Sequence, residues 1–155
     1  MKSGLGVPWG SALTALMLGL GALACARPGA RAIAYGEEAC RHCHMTITDP
    51  RFAAELVTRT GKVYVFDDVG CLAAFVREGT VAAADVEALQ VFDYLAPDSM
   101  LDARQAAFLQ VDSLATPMSS GVVALRPGPQ ADSLRLRWGG SFLSWAAVPT
   151  RGHRG

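Results

Sequence analysis

Cys40-Arg41-His42-Cys43-His44-Met45 places two thiols, two imidazoles and a thioether within six consecutive positions. Structural zinc sites are built from cysteine, histidine and carboxylate. A methionine sulfur is soft and neutral, adds little for zinc and suits Cu(I), so the pattern points to copper before zinc. A CxxC pair is also a redox and a disulfide signature, and a methionine ahead of a strand also serves as core filler, so the surrounding sequence has to choose. In an extended segment Cys43 and Met45 share one face two residues apart, where thiolate and thioether reach one ion. The same geometry turns His42 and His44 to the other face and ranks both imidazoles below the sulfurs. Cys40 joins from the preceding turn.

Two more sulfurs lie further along the chain. Met118, in Pro117-Met118-Ser119-Ser120-Gly121, sits in what reads as an exposed turn with no need of a large apolar residue. It is the distant thioether candidate, with a methionine folded back onto the core as the alternative. Cys71 follows Phe66-Asp67-Asp68-Val69-Gly70 in the first turn of an expected helix, where the helix dipole favours thiolate. It is either a third sulfur ligand or a small buried residue on the apolar face. The adjacent carboxylates Asp67 and Asp68 read as helix caps and carry no catalytic assignment.

The rival chemistries need other surroundings. A thioredoxin-type oxidoreductase opens a helix at its CxxC, but Thr46-Ile47-Thr48 is β-prone and Asp49-Pro50 closes any helix at once. A structural zinc knuckle needs four ligands. Cys71 has no second CxxC beside it, so His42 or His44 would have to complete the set.

The elements that must position these groups form an α+β pattern. Residues 52–58 and Val63-Tyr64-Val65-Phe66 read as a hairpin about the Thr60-Gly61 turn, and Asp67-Asp68 opens a helix. That helix buries Cys71, Leu72, Phe75 and Val76 on one face and ends near Gly79. A short helix over 82–89 and a strand over 91–95 follow. Strands at 106–111 and 121–125, a short helix at 130–136 and a last strand at 142–148 repeat the order strand, strand, helix, strand. The expectation is two small ββαβ units packed as one compact domain, with a possible internal duplication resting on element order alone. The first unit, residues 36–97, carries the cluster, and the second spans 98–149. Residues 150–155 read as a flexible tail in which His153 is a solvated side chain.

Ahead of the domain, Lys2 precedes a largely apolar stretch from Ala12 to Ala24 that is too short to span a bilayer. It ends in Ala22-Leu23-Ala24 before Cys25, so residues 1–24 read as a signal peptide and the chain as exported. Signal peptidase and lipoprotein processing cut the same bond, and lipidation of Cys25 makes 25–35 a tether to a membrane. The usual lipobox leucine lies three residues before the cysteine, whereas Leu23 lies two before. About 130 residues remain, enough for one domain. The 14 basic side chains lose only Lys2 with the leader against 14 acidic ones, which leaves no basic footprint for nucleic acid. Lipidated Cys25 leaves Cys40, Cys43 and Cys71, an odd number for an exported protein, so at least one thiol is expected free.

Cys40-x-x-Cys43-x-Met45-x-Ile47, Asp49-x-Arg51-Phe52-Ala53-Ala54-Glu55, Phe66-Asp67-Asp68-x-Gly70-Cys71, Asp102-Ala103-x-x-Ala106-x-Phe108 and Pro117-Met118-x-x-Gly121 occur in this order after the leader. Together they resemble NosL, the family of nitrous oxide reductase accessory lipoproteins. The resemblance spans nearly the whole mature chain. It implies two ββαβ units, similar to part of organomercurial lyase, in a non-enzymatic, lipid-anchored periplasmic protein that carries Cu(I). It implies nitrous oxide reductase as copper acceptor, with other periplasmic copper donors as further partners. Cys43 and Met45 match the family's CxM element, and Met118 a second methionine position. The departures are His44, where the family often has glycine, and Leu72, where methionine is common. Extra imidazoles at His42 and His44 leave the third ligand open.

Overall fold

The computed structural model describes residues 29–150. The segment expected to be a signal peptide, Cys25 as the expected lipidation site and the tail with His153 lie outside the described residues. Two antiparallel sheets and two helices make up the α+β domain. The first sheet has the order β2-β1-β3-β4, from β1 (Ala54–Thr58), β2 (Val63–Phe66), β3 (Val86–Asp93) and β4 (Ala96–Asp102), with α1 (Val69–Arg77) between β2 and β3. The second has the order β6-β5-β7, from β5 (Ala107–Gln110), β6 (Val122–Leu125) and β7 (Ser141–Leu143), with α2 (Pro129–Trp138) between β6 and β7. In both units the first strand is central and the strand after the helix pairs on its free side.

Alternation along β5 and β6 explains the layering. Phe108, Val122 and Ala124 face the main core, where Leu72 and Phe75 of α1 meet Leu56, Phe66 and Leu89 of the first sheet. Leu109, Val123 and Leu125 face the other way and pack with Ala131 and Leu134 of α2. The rings of Tyr64 and Phe66 stack at 5.2 and 5.3 Å from Phe75, which fixes α1 over the hairpin. At the opening of α1, Asp68 is the N-cap, its Oδ1 accepting the Gly70 N–H at 2.7 Å. Gly70 has to be small here: a Cβ would stand 3.0 Å from Asp68 Oδ1 and 3.1 Å from the Pro149 carbonyl.

Four local expectations are corrected. The helix expected over 82–89 is only a 3-10 turn, Ala83–Asp85, before β3 begins at Val86. Ala82 to Leu89 is rich in helix formers, but pairing of Val86 to Val91 with β1 outweighs that local preference. The strand Ala96–Asp102 escaped the sequence reading because Pro97, Asp98 and Ser99 break its pattern; it is an edge strand on β3, where proline is tolerated. The last strand stops at Leu143, and Trp145–Ala147 is a 3-10 turn. Of the segment expected to be a tether, 25–35, the end is anchored: Ile33 lies in the main core and Arg31 is in an ion pair with Glu38.

Candidate metal centre

Residues 40–45 form a closed loop and not the extended strand expected of Cys43 to Met45. The Cys40 N–H donates to the Met45 carbonyl at 2.8 Å, the His44 N–H to the Cys40 carbonyl at 3.0 Å, and Ala39 bridges Thr46. Closure puts His44 at φ 64, the left-handed region that glycine takes freely and histidine more readily than branched residues. The Arg41 N–H donates to the Val65 carbonyl at 2.9 Å, which fastens the loop to β2 beside the opening of α1.

That docking builds the site. One ligand atom each from Cys40, Cys43, Asp67 and Cys71 lies within 4.8 Å of the others, and all three cysteines are free thiols. Cys43 Sγ donates to Asp67 Oδ1 at 3.3 Å and Oδ2 at 3.4 Å. Cys71 stands beside Cys40 in this group, and the interaction of the two thiols is the chief reason the Cys40 thiol is lowered from its ordinary value. The same interaction, with burial, pushes Cys71 up. Burial pushes Cys43 up to about 12, with the Cys40 and Asp67 charges adding to it. Cys40 is therefore the sulfur with most thiolate character, at 1% exposure, while half-buried Cys43 holds its proton toward Asp67.

The other expected residues are placed as follows. Met45 is 48% exposed and shares with Asp67, Asp49, Arg51 and Pro117 a cleft of about 350 Å³ at the edge of the cluster. Met118 is 8% exposed in the same core as Cys40 and Cys71, so the loop that reads as exposed is inward-facing. The Met118 N–H donates to Asp68 Oδ2 at 3.2 Å, and the Ser120 hydroxyl donates to the same oxygen at 3.1 Å. His42 turns away from the sulfurs, its Nδ1 3.3 Å from Glu78 Oε1, and His44 is exposed. Asp67 is the residue that sequence reasoning missed. Only one of two adjacent aspartates can sit at the N-cap, and with Asp68 capping α1, the Asp67 carboxylate is left to face the thiols.

The NosL family model matches residues 33–152. The chain belongs to the NosL family. No match is found among curated proteins. Among solved structures, the chain is similar to the crystal structure of the copper chaperone NosL from Shewanella denitrificans, with a TM-score of 0.66 and 22% identity over 79% of this chain and 96% of that one. At that identity the likeness speaks for the fold, and the NosL fold accordingly carries the thiol cluster here at the junction of the 40–45 loop and α1. Three thiols and a carboxylate, with Met45 on the cleft that Asp67 also lines, make an arrangement suited to a soft metal ion. Among the described residues no helix is long and apolar enough to cross a membrane.

Proposed function

We propose that the protein is an exported, lipid-anchored periplasmic Cu(I) carrier, not an enzyme, which supplies nitrous oxide reductase with copper for its copper-sulfide centre. One observation carries the reading: in a NosL-family chain, three free thiols and Asp67 converge within 4.8 Å, and half-exposed Met45 lines the cleft that Asp67 opens onto. A carrier needs affinity without full enclosure, so that an incoming ligand can attack an open position before the old ligands leave. Cys40 and Cys43 provide anionic sulfur once copper displaces their protons. Met45 provides a neutral sulfur at the cleft, where a recipient's ligand would enter. The Shewanella relative is itself described as a copper chaperone.

A thiol-disulfide role fits less well. Exchange needs a thiolate that a disulfide can reach, yet the lowered thiol, Cys40, is 1% exposed, and the more accessible Cys43 is held protonated. Three thiols and a carboxylate would by themselves suit zinc, and Met45 is what separates the two metals.

The reduced protein should take up about one Cu(I) in competition with a Cu(I) chelator, and Met45→Leu should lower that affinity. Zinc retained as tightly as copper, with copper affinity unchanged in Met45→Leu, would return the site to zinc. Intact mass spectrometry of the membrane fraction should find a mature chain that begins at lipid-modified Cys25. A chain beginning at Ala26 or later refutes the cleavage, and an unmodified Cys25 refutes the anchor.

A further inference from the structure

Away from the thiols, the main core has an opening lined almost wholly by carbon. A cavity of about 190 Å³ lies where the end of α1, the 79–83 connection and the first sheet meet. Leu56 of β1, Leu89 of β3 and Phe75 of α1 form its buried floor, and Val76, Val81 and Val86 its partly buried rim. Ala82 and Ala83, at the 3-10 turn before β3, line the same opening with methyl groups too short to fill it. Apolar cavities of this size take up small hydrophobic molecules, whereas ordered water needs polar partners.

Arg104 is the one charged residue in the lining, and its backbone is fixed. It stands in the turn between β4 and β5, where Asp102 accepts three N–H groups: its Oδ1 that of Arg104 at 2.7 Å, and its carbonyl those of Gln105 and Ala106 at 2.9 Å each. The Ala103 N–H donates to the Leu89 carbonyl at 2.8 Å, which pins the turn to the cavity wall. Arg104 is exposed, and among the described residues it takes part in no ion pair. The carboxylates nearest in sequence to this lining, Asp85, Glu87 and Asp102, do not themselves line the cavity. An apolar space with a single polar group at its edge holds a ligand in one orientation, and here that group is a cation.

We propose that the cavity binds a medium-chain aliphatic carboxylate, its chain against Phe75 and Leu89 and its carboxylate on Arg104. The planar guanidinium offers two parallel N–H donors to the two carboxylate oxygens, which a neutral alcohol of the same length cannot match. Volume sets the length: at about 30 Å³ for each water-sized group the space takes about six, a chain of roughly six to eight carbons. Phe75 and Val76 lie in the last turn of α1 and Cys71 in its first, so the site is separate from the metal centre and does not depend on which metal the thiols bind.

Sodium carboxylates from butanoate to decanoate, each below its micelle concentration, are the probes, read by amide shifts of the nitrogen-15-labelled protein. Shifts should saturate at the Gly79, Val81 and Leu89 amides, and affinity should rise about fourfold for each added methylene until the cavity is full at roughly eight carbons. Arg104→Gln removes no ion pair of the fold, and it should weaken octanoate about two- to fivefold at low salt while leaving octanol unchanged. No saturable shift at these amides, or an affinity that does not rise with chain length, overturns the site. A rise with chain length that is the same for alcohols and carboxylates, and that Arg104→Gln does not alter, overturns the anionic head group.

Discussion

Cys43→Ser should strip the protein of Cu(I) at chelator concentrations that leave the wild type loaded, and Cys40→Ser should fall in the same class. Cys43 is the thiol nearest the open side of the cluster, and Cys40 the one its neighbours hold closest to thiolate. A hydroxyl is a hard, reluctantly ionised replacement for a sulfur that must carry negative charge to hold Cu(I). Loss of a partner outside the ligand shell costs about 10–100-fold in metal affinity, so removal of a thiolate ligand should exceed that. Met45→Leu removes a neutral ligand of similar size and should cost less than either serine variant. Competition with a Cu(I) chelator reads the order directly. In cells at limiting copper, nitrous oxide reductase purified beside the Cys43→Ser protein should be copper-deficient. A full copper complement there would falsify the delivery role, whatever the binding constants show.

Asp68→Ala should be the most destabilising single change near the site, by about 3–5 kcal/mol. Loss of an N-cap accounts for about 1 kcal/mol, and each further buried donor left unpartnered for about 1–3. The Asp68 carboxylate accepts from the Gly70 N–H at 2.7 Å, from Ser120 Oγ at 3.1 Å and from the Met118 N–H at 3.2 Å, so one side chain caps α1 and pins the 116–121 loop to it. Burial raises the Asp68 carboxyl above its usual range against these three donors, a sign that the group is held for its contacts and not for favourable solvation. In a domain of this size the loss corresponds to a fall in melting temperature on the order of 10–20 °C. Asp68→Asn retains an acceptor oxygen and should recover part of it. Chemical denaturation that places Asp68→Ala within about 1 kcal/mol of the wild type would mean that the loop is held by other contacts.

Much of the framework is legible in local pattern. Val63–Phe66 is a strand, the Asp67-Asp68 pair does open a helix that buries Cys71, Leu72 and Phe75, and both units run strand, strand, helix, strand. These features depend on residues close in sequence, such as turn glycines, caps and apolar spacing. What was misread depends on partners far away. Ala82 to Leu89 has helical composition, but β1 offers it a ladder; Met118 lies in a turn-like sequence, but Asp68 draws its backbone inward.

The same division runs through the site. The sequence by itself determined the inventory: an exported-looking leader, a CxxCxM cluster, one more cysteine at a helix start and a distant methionine, in an order that marks the family. Spacing within a few residues and the chemistry of sulfur suffice for that. Which of these atoms meet was decided only by tertiary structure. The 40–45 loop closes on itself because Ala39 pairs with Thr46, and its tie to Val65 brings Cys40 and Cys43 against Cys71. Capping by Asp68 leaves its neighbour Asp67 to accept the Cys43 thiol. Met45 is turned to an open cleft and Met118 to the core, an assignment that no local pattern could make, because it follows from where the second unit's 116–121 loop docks on the first.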